Sequence, residues 1–195
     1  MLTHKGTITL ETPQLKLRRF TIDDAQAMFD NWATDERTTK FLSWEPYTDI
    51  EKLKEFLGKC IDNYENPECY HWTIEFQGEI VGTINLHDIE NRKEICELGY
   101  CVGSKWWNMG IMTEAAKAVI NFAFSELNAN KVCGLYDVDN VASGKVMQKC
   151  DMKLEGILRE ESLRKDGTRS NMAFYGILKS EWLKLSSNTI NINEE

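Results

Sequence analysis

The chain has 195 residues, of which 42% are hydrophobic and 28% are charged, and it carries a formal net charge of −8. This composition is typical of a globular domain, and the acidic excess disfavours a broad nucleic-acid surface, which would need a basic excess. Because no apolar run approaches the length of a membrane span and the N-terminus lacks the apolar stretch of a signal peptide, we expect a cytoplasmic protein without a membrane partner.

The first third of the chain predicts one strand and two helices around an aromatic segment. Residues 15–20 alternate as a strand, and a helix follows Thr21. A capping box at residues 48–51 opens a second helix, which stops before Asn66. Residues 30–47 lie between the helices and are aromatic but irregular, so they either line a substrate pocket or cover the core.

The middle of the chain predicts three antiparallel strands followed by a crossover. Tyr70–Phe76, residues 80–86 and Ile95–Val102 alternate in the way that half-buried strands do. A loop then leads into a helix at residues 112–127 and a further strand at residues 131–138. A strand, a helix and a strand in succession imply a right-handed crossover and a parallel pair of strands.

The last third predicts a short helix at residues 142–150 and a closing hairpin, whose turn is signalled by Asp166-Gly167. We therefore expect an α+β fold: a mixed central sheet with an antiparallel N-terminal meander, one βαβ crossover and a C-terminal hairpin. Residues 1–185 are expected to form a single domain that ends in a helical turn, and residues 186–195 a polar C-terminal tail.

The stretch Lys105–Leu127 is a short loop running into the central helix, and the start of that helix is a candidate anion site. The first amides of a helix lack intrahelical acceptors and lie at its positive dipole end, so they commonly bind phosphate. The alternative is a plain connection before a core helix, and this stretch by itself favours neither interpretation.

The cysteines and histidines do not suggest a metal site. None of the six cysteines forms a C-x-x-C pair, and no histidine stands at ligand spacing from one, so we expect reduced core thiols and no zinc. His4, His71 and His87 are scattered along the chain, which disfavours a histidine-centred catalytic or metal site.

Two segments carry longer motifs. The first is Glu97-Leu98-Gly99-Tyr100 followed by the run W-W-N-M-G-I-M-T-E-A, which begins at Trp106. The second has Asn140, Ser143, Val146 and Lys149, followed by Glu155-Gly156 and Arg159. In order and spacing, this pair resembles the signatures of the RimJ/RimL-type branch of the GNAT superfamily, the acyl-CoA-dependent N-acetyltransferases. The resemblance runs from about residue 15 to residue 178.

The resemblance implies acetyl-CoA as co-substrate and no metal. The loop backbone would wrap the pyrophosphate of coenzyme A, and a strand edge freed by splaying would hydrogen-bond the pantetheine arm. The implied coenzyme A contacts are Tyr100, Cys101, Val102, Trp107, Asn108, Met109, Gly110, Ile111, Met112, Thr113, Asn140, Ser143 and Lys145. Asn108 stands where the family usually has glycine, which predicts a left-handed backbone there, and Met109 replaces a frequent basic residue.

The implied chemistry is direct attack of an amine on the thioester, with no covalent nucleophile on the protein. Glu97 is the first candidate for the general base, directly or through water, although a structural carboxylate is an equally good interpretation. Glu160 and Glu161 are alternatives. Ser143 is expected to contact the thiol, because Met147 stands where related enzymes often have a tyrosine acid.

The sequence leaves the acceptor open between a protein N-terminal amine, as on a ribosomal protein, and a small amine. The alternative function is a catalytically silent acyl-CoA-binding module, whereas a nucleotide-binding Rossmann domain is excluded because no G-x-G-x-x-G follows a strand. A homodimer is left open.

Overall fold

One mixed sheet of eight strands forms the centre of the computed structural model, which describes residues 1–192. The strands are β1 (Leu10–Glu11), β2 (Leu15–Arg18), β3 (Tyr70–Phe76), β4 (Glu79–Glu90), β5 (Ile95–Val102), β6 (Lys131–Asp137), β7 (Lys153–Leu163) and β8 (Arg169–Leu178). Their order is β1-β2-β3-β4-β5-β6-β8-β7, and β5–β6 is the parallel pair. The predicted meander, crossover and closing hairpin are confirmed.

The helices cover both faces of this sheet. They are α1 (Asp24–Met28), α2 (Glu36–Thr39), α3 (Ile50–Asp62), α4 (Ile111–Ser125), α5 (Val141–Lys149) and α6 (Lys179–Ile192). A π-helical turn, Phe29–Ala33, extends α1, and a 3-10 turn, Ser104–Trp106, follows β5. None of the helices in residues 1–192 is long and apolar enough to cross a membrane.

Two hydrophobic clusters result from the alternation of the strands. Trp72 and Ile74 of β3 point to the same side as α4, whose Ala115, Val119 and Phe122 complete the larger cluster. On the opposite face, Met28 of α1 and Leu53 of α3 belong to a smaller cluster. The sheet therefore has a closed core under α4 and a second face under α1 and α3.

Several local predictions needed correction. Asp49, rather than Thr48, is the cap of α3, and its side chain accepts a hydrogen bond from the amide of Glu51. Strand β4 continues to Glu90, through a segment expected to be a charged connection. Helix α6 runs well past the helical turn expected at residues 180–185, so part of the predicted tail is helical, and residues 193–195 lie outside the described residues.

Candidate functional site

Strands β5 and β6 separate halfway along their length. They are in register at Ile95 with Lys131, Cys96 with Val132 and Glu97 with Cys133, and the pairing ends there. Strand β5 nevertheless stays paired with β4 as far as Val102. The last residues of β5 therefore border a gap on the β6 side, as expected for a strand edge that could accept an extra strand.

Alternation along β5 decides which backbone groups face this gap. The amide of Gly103 donates to the carbonyl of Val81 on β4, whereas the carbonyl of Val102 accepts from the indole Nε1 of Trp107 at 2.9 Å. Because successive residues of a strand direct their amides to opposite neighbours, the amides of Tyr100 and Val102 face the gap. A polar arm laid in the gap would find these donors.

The loop beyond β5 has the backbone that was predicted for it. Asn108 is left-handed with φ 62°, and Gly110, the residue before α4, is left-handed with φ 82°. The amides of Ile111, Met112 and Thr113 find no acceptor in the described part of the chain, while the side chains of Ile111 and Met112 are buried. The helix start thus offers backbone donors to an anion and anchors itself through its side chains.

The basic residue before the loop is engaged elsewhere. Lys105 lies 3.3 Å from Glu79 and against the ring of Trp106, and Met109 carries no charge. Lys145 of α5 is exposed. The donors that the loop itself offers to an anion are therefore backbone amides at the positive end of the α4 dipole.

Helix α5 borders the gap on its other side. The hydroxyl of Tyr100 reaches Ser143 Oγ at 3.0 Å and donates to the Ser143 carbonyl at 3.1 Å. Burial raises the pKa of the Tyr100 phenol, so that it keeps its proton. Asn140 is the cap of α5, its side chain accepting from the amide of Ser143 at 3.4 Å. Met147 is buried, so its side chain packs in the core.

On the face covered by α1 and α3, a cavity of about 450 Å³ opens over β3, β4 and β5. Its walls are Phe20, Met28, Leu42, Ser43, Trp44, Tyr47 and Phe56, and its floor is formed by His71, Thr83, Asn85, His87, Gly99, Tyr100 and Cys101. We call this cavity the aromatic pocket. Leu42, Trp44 and Tyr47 of the aromatic segment line this pocket and also pack against the smaller hydrophobic cluster, so that the segment lines a substrate pocket stays a prediction.

Gly99 lies on the floor of the aromatic pocket. A side chain there would meet Asn85 Oδ1 at 2.5 Å and His87 Nε2 at 2.9 Å from its Cβ position. Polar atoms of two β4 side chains therefore lie directly over Gly99. Because any side chain at this position would meet them, Gly99 of the E-x-G-Y motif has a steric reason to be there.

The imidazole of His87 lies between two carboxylates, those of Asp88 and Glu97. Its Nδ1 lies 3.1 Å from Asp88 Oδ2, and its Nε2 lies 3.7 Å from Glu97 Oε1, the neighbour across β4 and β5. Burial, and more weakly the charge of Asp88, raise the pKa of Glu97, which the charge of His87 opposes. Strand pairing places His87 opposite Glu97, a proximity that the spacing of the histidines along the chain did not indicate.

One nitrogen of His87 and one carboxylate oxygen each of Asp88 and Glu97 lie within 4.8 Å of one another, a spacing at which they could hold a metal ion. The two carboxylates contact opposite nitrogens of the His87 ring, so they also orient the imidazole.

The other acidic candidates lie elsewhere. Glu160 and Glu161 are exposed on the edge strand β7, which is separated from β6 by β8. Neither residue is among those that line the aromatic pocket. His71 on the pocket floor is held by Thr83 Oγ1 at 2.8 Å, and burial lowers its pKa to about 4. It is therefore neutral at pH 7.

The wall of the aromatic pocket is tied to the closing hairpin. Lys165, in the turn between β7 and β8, donates to the carbonyl of Thr39 at 2.9 Å and lies 3.6 Å from Glu45. The amide of Tyr47 donates to the carbonyl of Ala33 at 2.8 Å, and Trp44 packs on Tyr47. Residues 39–47 are thus held at both ends.

Comparison with known proteins agrees with this geometry. Residues 14–153 match the family model of the acetyltransferase (GNAT) domain. Similar proteins include the uncharacterized N-acetyltransferase YoaA of Bacillus subtilis, 29% identical over 172 residues (87% of this chain and 96% of the relative). A ribosomal-protein alanine N-acetyltransferase of Escherichia coli is 23% identical over 183 residues (90% and 93%). The structure of the RimL ribosomal-protein acetyltransferase with coenzyme A superposes with a TM-score of 0.80 at 19% identity (88% and 98%).

Proposed function

The chain belongs to the GNAT acetyltransferase family and uses acetyl-CoA for N-acetyl transfer, and we propose that its acceptor is a primary amine bound over Gly99. The observation that supports this is the position of β5. One side of its C-terminal half borders the gap that leads to the α4 amides, and Gly99 and Cys101 on the same strand form the floor of the aromatic pocket. Donor and acceptor could therefore meet across one strand.

Coenzyme A would be held by groups of the gap and the loop. The amides of Ile111, Met112 and Thr113 would bind its pyrophosphate, and the backbone of Tyr100 and Val102 would hold its pantetheine arm. Its acetyl thioester supplies the activated carbonyl. An amide of β5 that faces the gap would stabilise the oxygen of that carbonyl as it becomes negative during attack.

The amine must lose a proton before or during attack, and we propose His87 as the group that takes it. With Asp88 accepting the Nδ1 proton, Nε2 carries the free lone pair and faces the space above Gly99. Glu97 then acts through His87 by stabilising the imidazolium that forms. Asn85 Oδ1 would accept the remaining amine hydrogen and orient the nitrogen.

As the new carbon–nitrogen bond forms, the carbon–sulfur bond breaks and a thiolate leaves. The hydroxyl pair of Tyr100 and Ser143 lies at the gap and would donate a hydrogen bond to this sulfur. Their role replaces the tyrosine that related enzymes carry at the position of Met147.

Calorimetric titration of the full chain with acetyl-CoA, followed by a thiol-release assay over a panel of primary amines, tests the proposal. We expect binding in the micromolar range and amine-dependent release of free thiol. Absence of binding would refute the site itself. Binding without thiol release for every amine would instead support a catalytically silent acyl-CoA-binding module.

A further inference from the structure

The composition of the aromatic pocket restricts the acceptor. We propose that the acceptor is a small primary monoamine whose short chain ends in an aromatic or bulky apolar group. This inference depends on the proposed function, because it assumes that the amine nitrogen lies over Gly99. It selects among the acceptors that acetyl transfer to an amine would otherwise allow.

The far side of the pocket from Gly99 is apolar. Phe20, Phe56, Trp44 and Tyr47 contribute aromatic rings, and Met28 and Leu42 add aliphatic surface. An acceptor must fill this space to displace its water, and an aromatic or branched group would do so with favourable ring contacts. The same ring faces also tolerate a single ammonium on its way to the floor.

Charge is the second restriction. Among the described residues that line the pocket, none is Asp, Glu, Lys or Arg. A diamine or polyamine would therefore bury its second ammonium without a carboxylate, and a free amino acid would bury its carboxylate without a cation. Asp88 and Glu97 are engaged with His87, and neither is part of the lining.

The third restriction is the size of the pocket. The volume of about 450 Å³ suits a small molecule. Residues 39–47 contribute Leu42, Ser43, Trp44 and Tyr47 to the lining and are fixed by Lys165 at Thr39 and by the Tyr47 amide at Ala33. A fixed wall resists the widening that several residues of a protein N-terminus would need, whereas a compact amine needs none.

The test measures kcat/KM by thiol release with acetyl-CoA and matched pairs of acceptors. Phenethylamine is compared with phenylalanine, which adds only a carboxylate, and hexylamine with hexamethylenediamine, which adds only a second amine. A short peptide with an N-terminal alanine represents a ribosomal-protein acceptor. We expect the kcat/KM of each monoamine to exceed that of its partner, which carries a second charged group, by at least about tenfold. We also expect it to exceed the kcat/KM of the peptide.

A higher or equal kcat/KM for the diamine, the amino acid or the peptide would overturn the acceptor class while leaving acetyl transfer intact. If acetyl-CoA binds and no amine releases thiol, the proposed function itself fails, and the class fails with it.

A gain of charge provides a second test. Ser43 is exposed at the rim of the pocket, so S43E supplies a carboxylate there without disturbing the core. We expect S43E to shift the ratio of diamine to monoamine activity toward the diamine by at least about fivefold. T48E adds the same charge to an exposed position outside the pocket lining and should leave the ratio unchanged. Equal shifts in both variants would contradict the assignment.

Discussion

The backbone of Asn108 is the point at which the coenzyme A loop can be tested most directly. Its φ is 62°, its side chain is exposed, and no hydrogen bond is recorded for that side chain among the described residues. A residue other than glycine costs roughly 1–2 kcal/mol in this conformation, and asparagine tolerates it best. Substitution should therefore act through the backbone of the loop and not through a lost contact.

We expect N108V to weaken acetyl-CoA binding by about 5- to 30-fold, because roughly 1–2 kcal/mol of backbone strain must be overcome when the loop closes on the phosphates. N108G relieves the strain and should bind within about twofold of the wild type, apart from the extra freedom of the unbound loop. Calorimetric Kd values for the three proteins measure this difference.

Gln77 provides the matched control, since it is left-handed with φ 53° in the exposed turn between β3 and β4. Q77V should lower Tm while leaving the Kd for acetyl-CoA unchanged. The reasoning is refuted if N108V binds like the wild type. A tenfold loss in N108G would refute it in another way, because the asparagine side chain would then be the binding group.

Three further predictions concern the aromatic pocket. H87Q should lower kcat/KM by at least about 100-fold, whereas E97Q, which keeps the imidazole, should lower it less; a larger loss in E97Q would make Glu97 the base. H71Q should be less sensitive to acid unfolding than the wild type. The folded pKa of His71, about 4, lies below its usual 6.5, so its stabilising effect is complete above pH 6.5 and is lost on acidification toward pH 4. Denaturant unfolding should show this as a difference of at most about 3 kcal/mol. K165M should raise KM for the amine about 3- to 10-fold without changing the Kd for acetyl-CoA, while K153M, which loses a contact to Glu181, should change neither.

The parts of the molecule that depend on local pattern were predictable from the sequence. Tyr70–Phe76 and Ile95–Val102 have the predicted bounds, because strict alternation over a half-buried strand leaves little freedom. The left-handed conformation at Asn108 followed from residue type, and the same reasoning holds at Asp151, whose φ is 61°. In each case the signal lies within a few residues of the feature.

The contacts that could not be predicted from the sequence depend on pairing between strands. His87 meets Glu97 only because β4 and β5 place them opposite one another, and it faces the pocket only because Gly99 has no side chain. A periodicity of two along β4 indicated which face His87 would take, but not which residues would share that face. The register between strands, and with it the contact between His87 and Glu97, could not be predicted from spacing along the chain.

The alternation of side chains between the two faces of β5 explains why its motif combines such different residues. Gly99 and Cys101 line the aromatic pocket, where the absence of a side chain at Gly99 leaves room for Asn85 and His87. Tyr100 packs toward the α4 side, and its hydroxyl reaches Ser143 across the gap. Shifting this strand by one residue would exchange the two sets, placing a phenol under Asn85 and His87 in place of Gly99 and leaving the gap without its hydroxyl. Under the proposed function, the register of one strand would therefore set both the space for the acceptor and the hydrogen bond to the leaving sulfur.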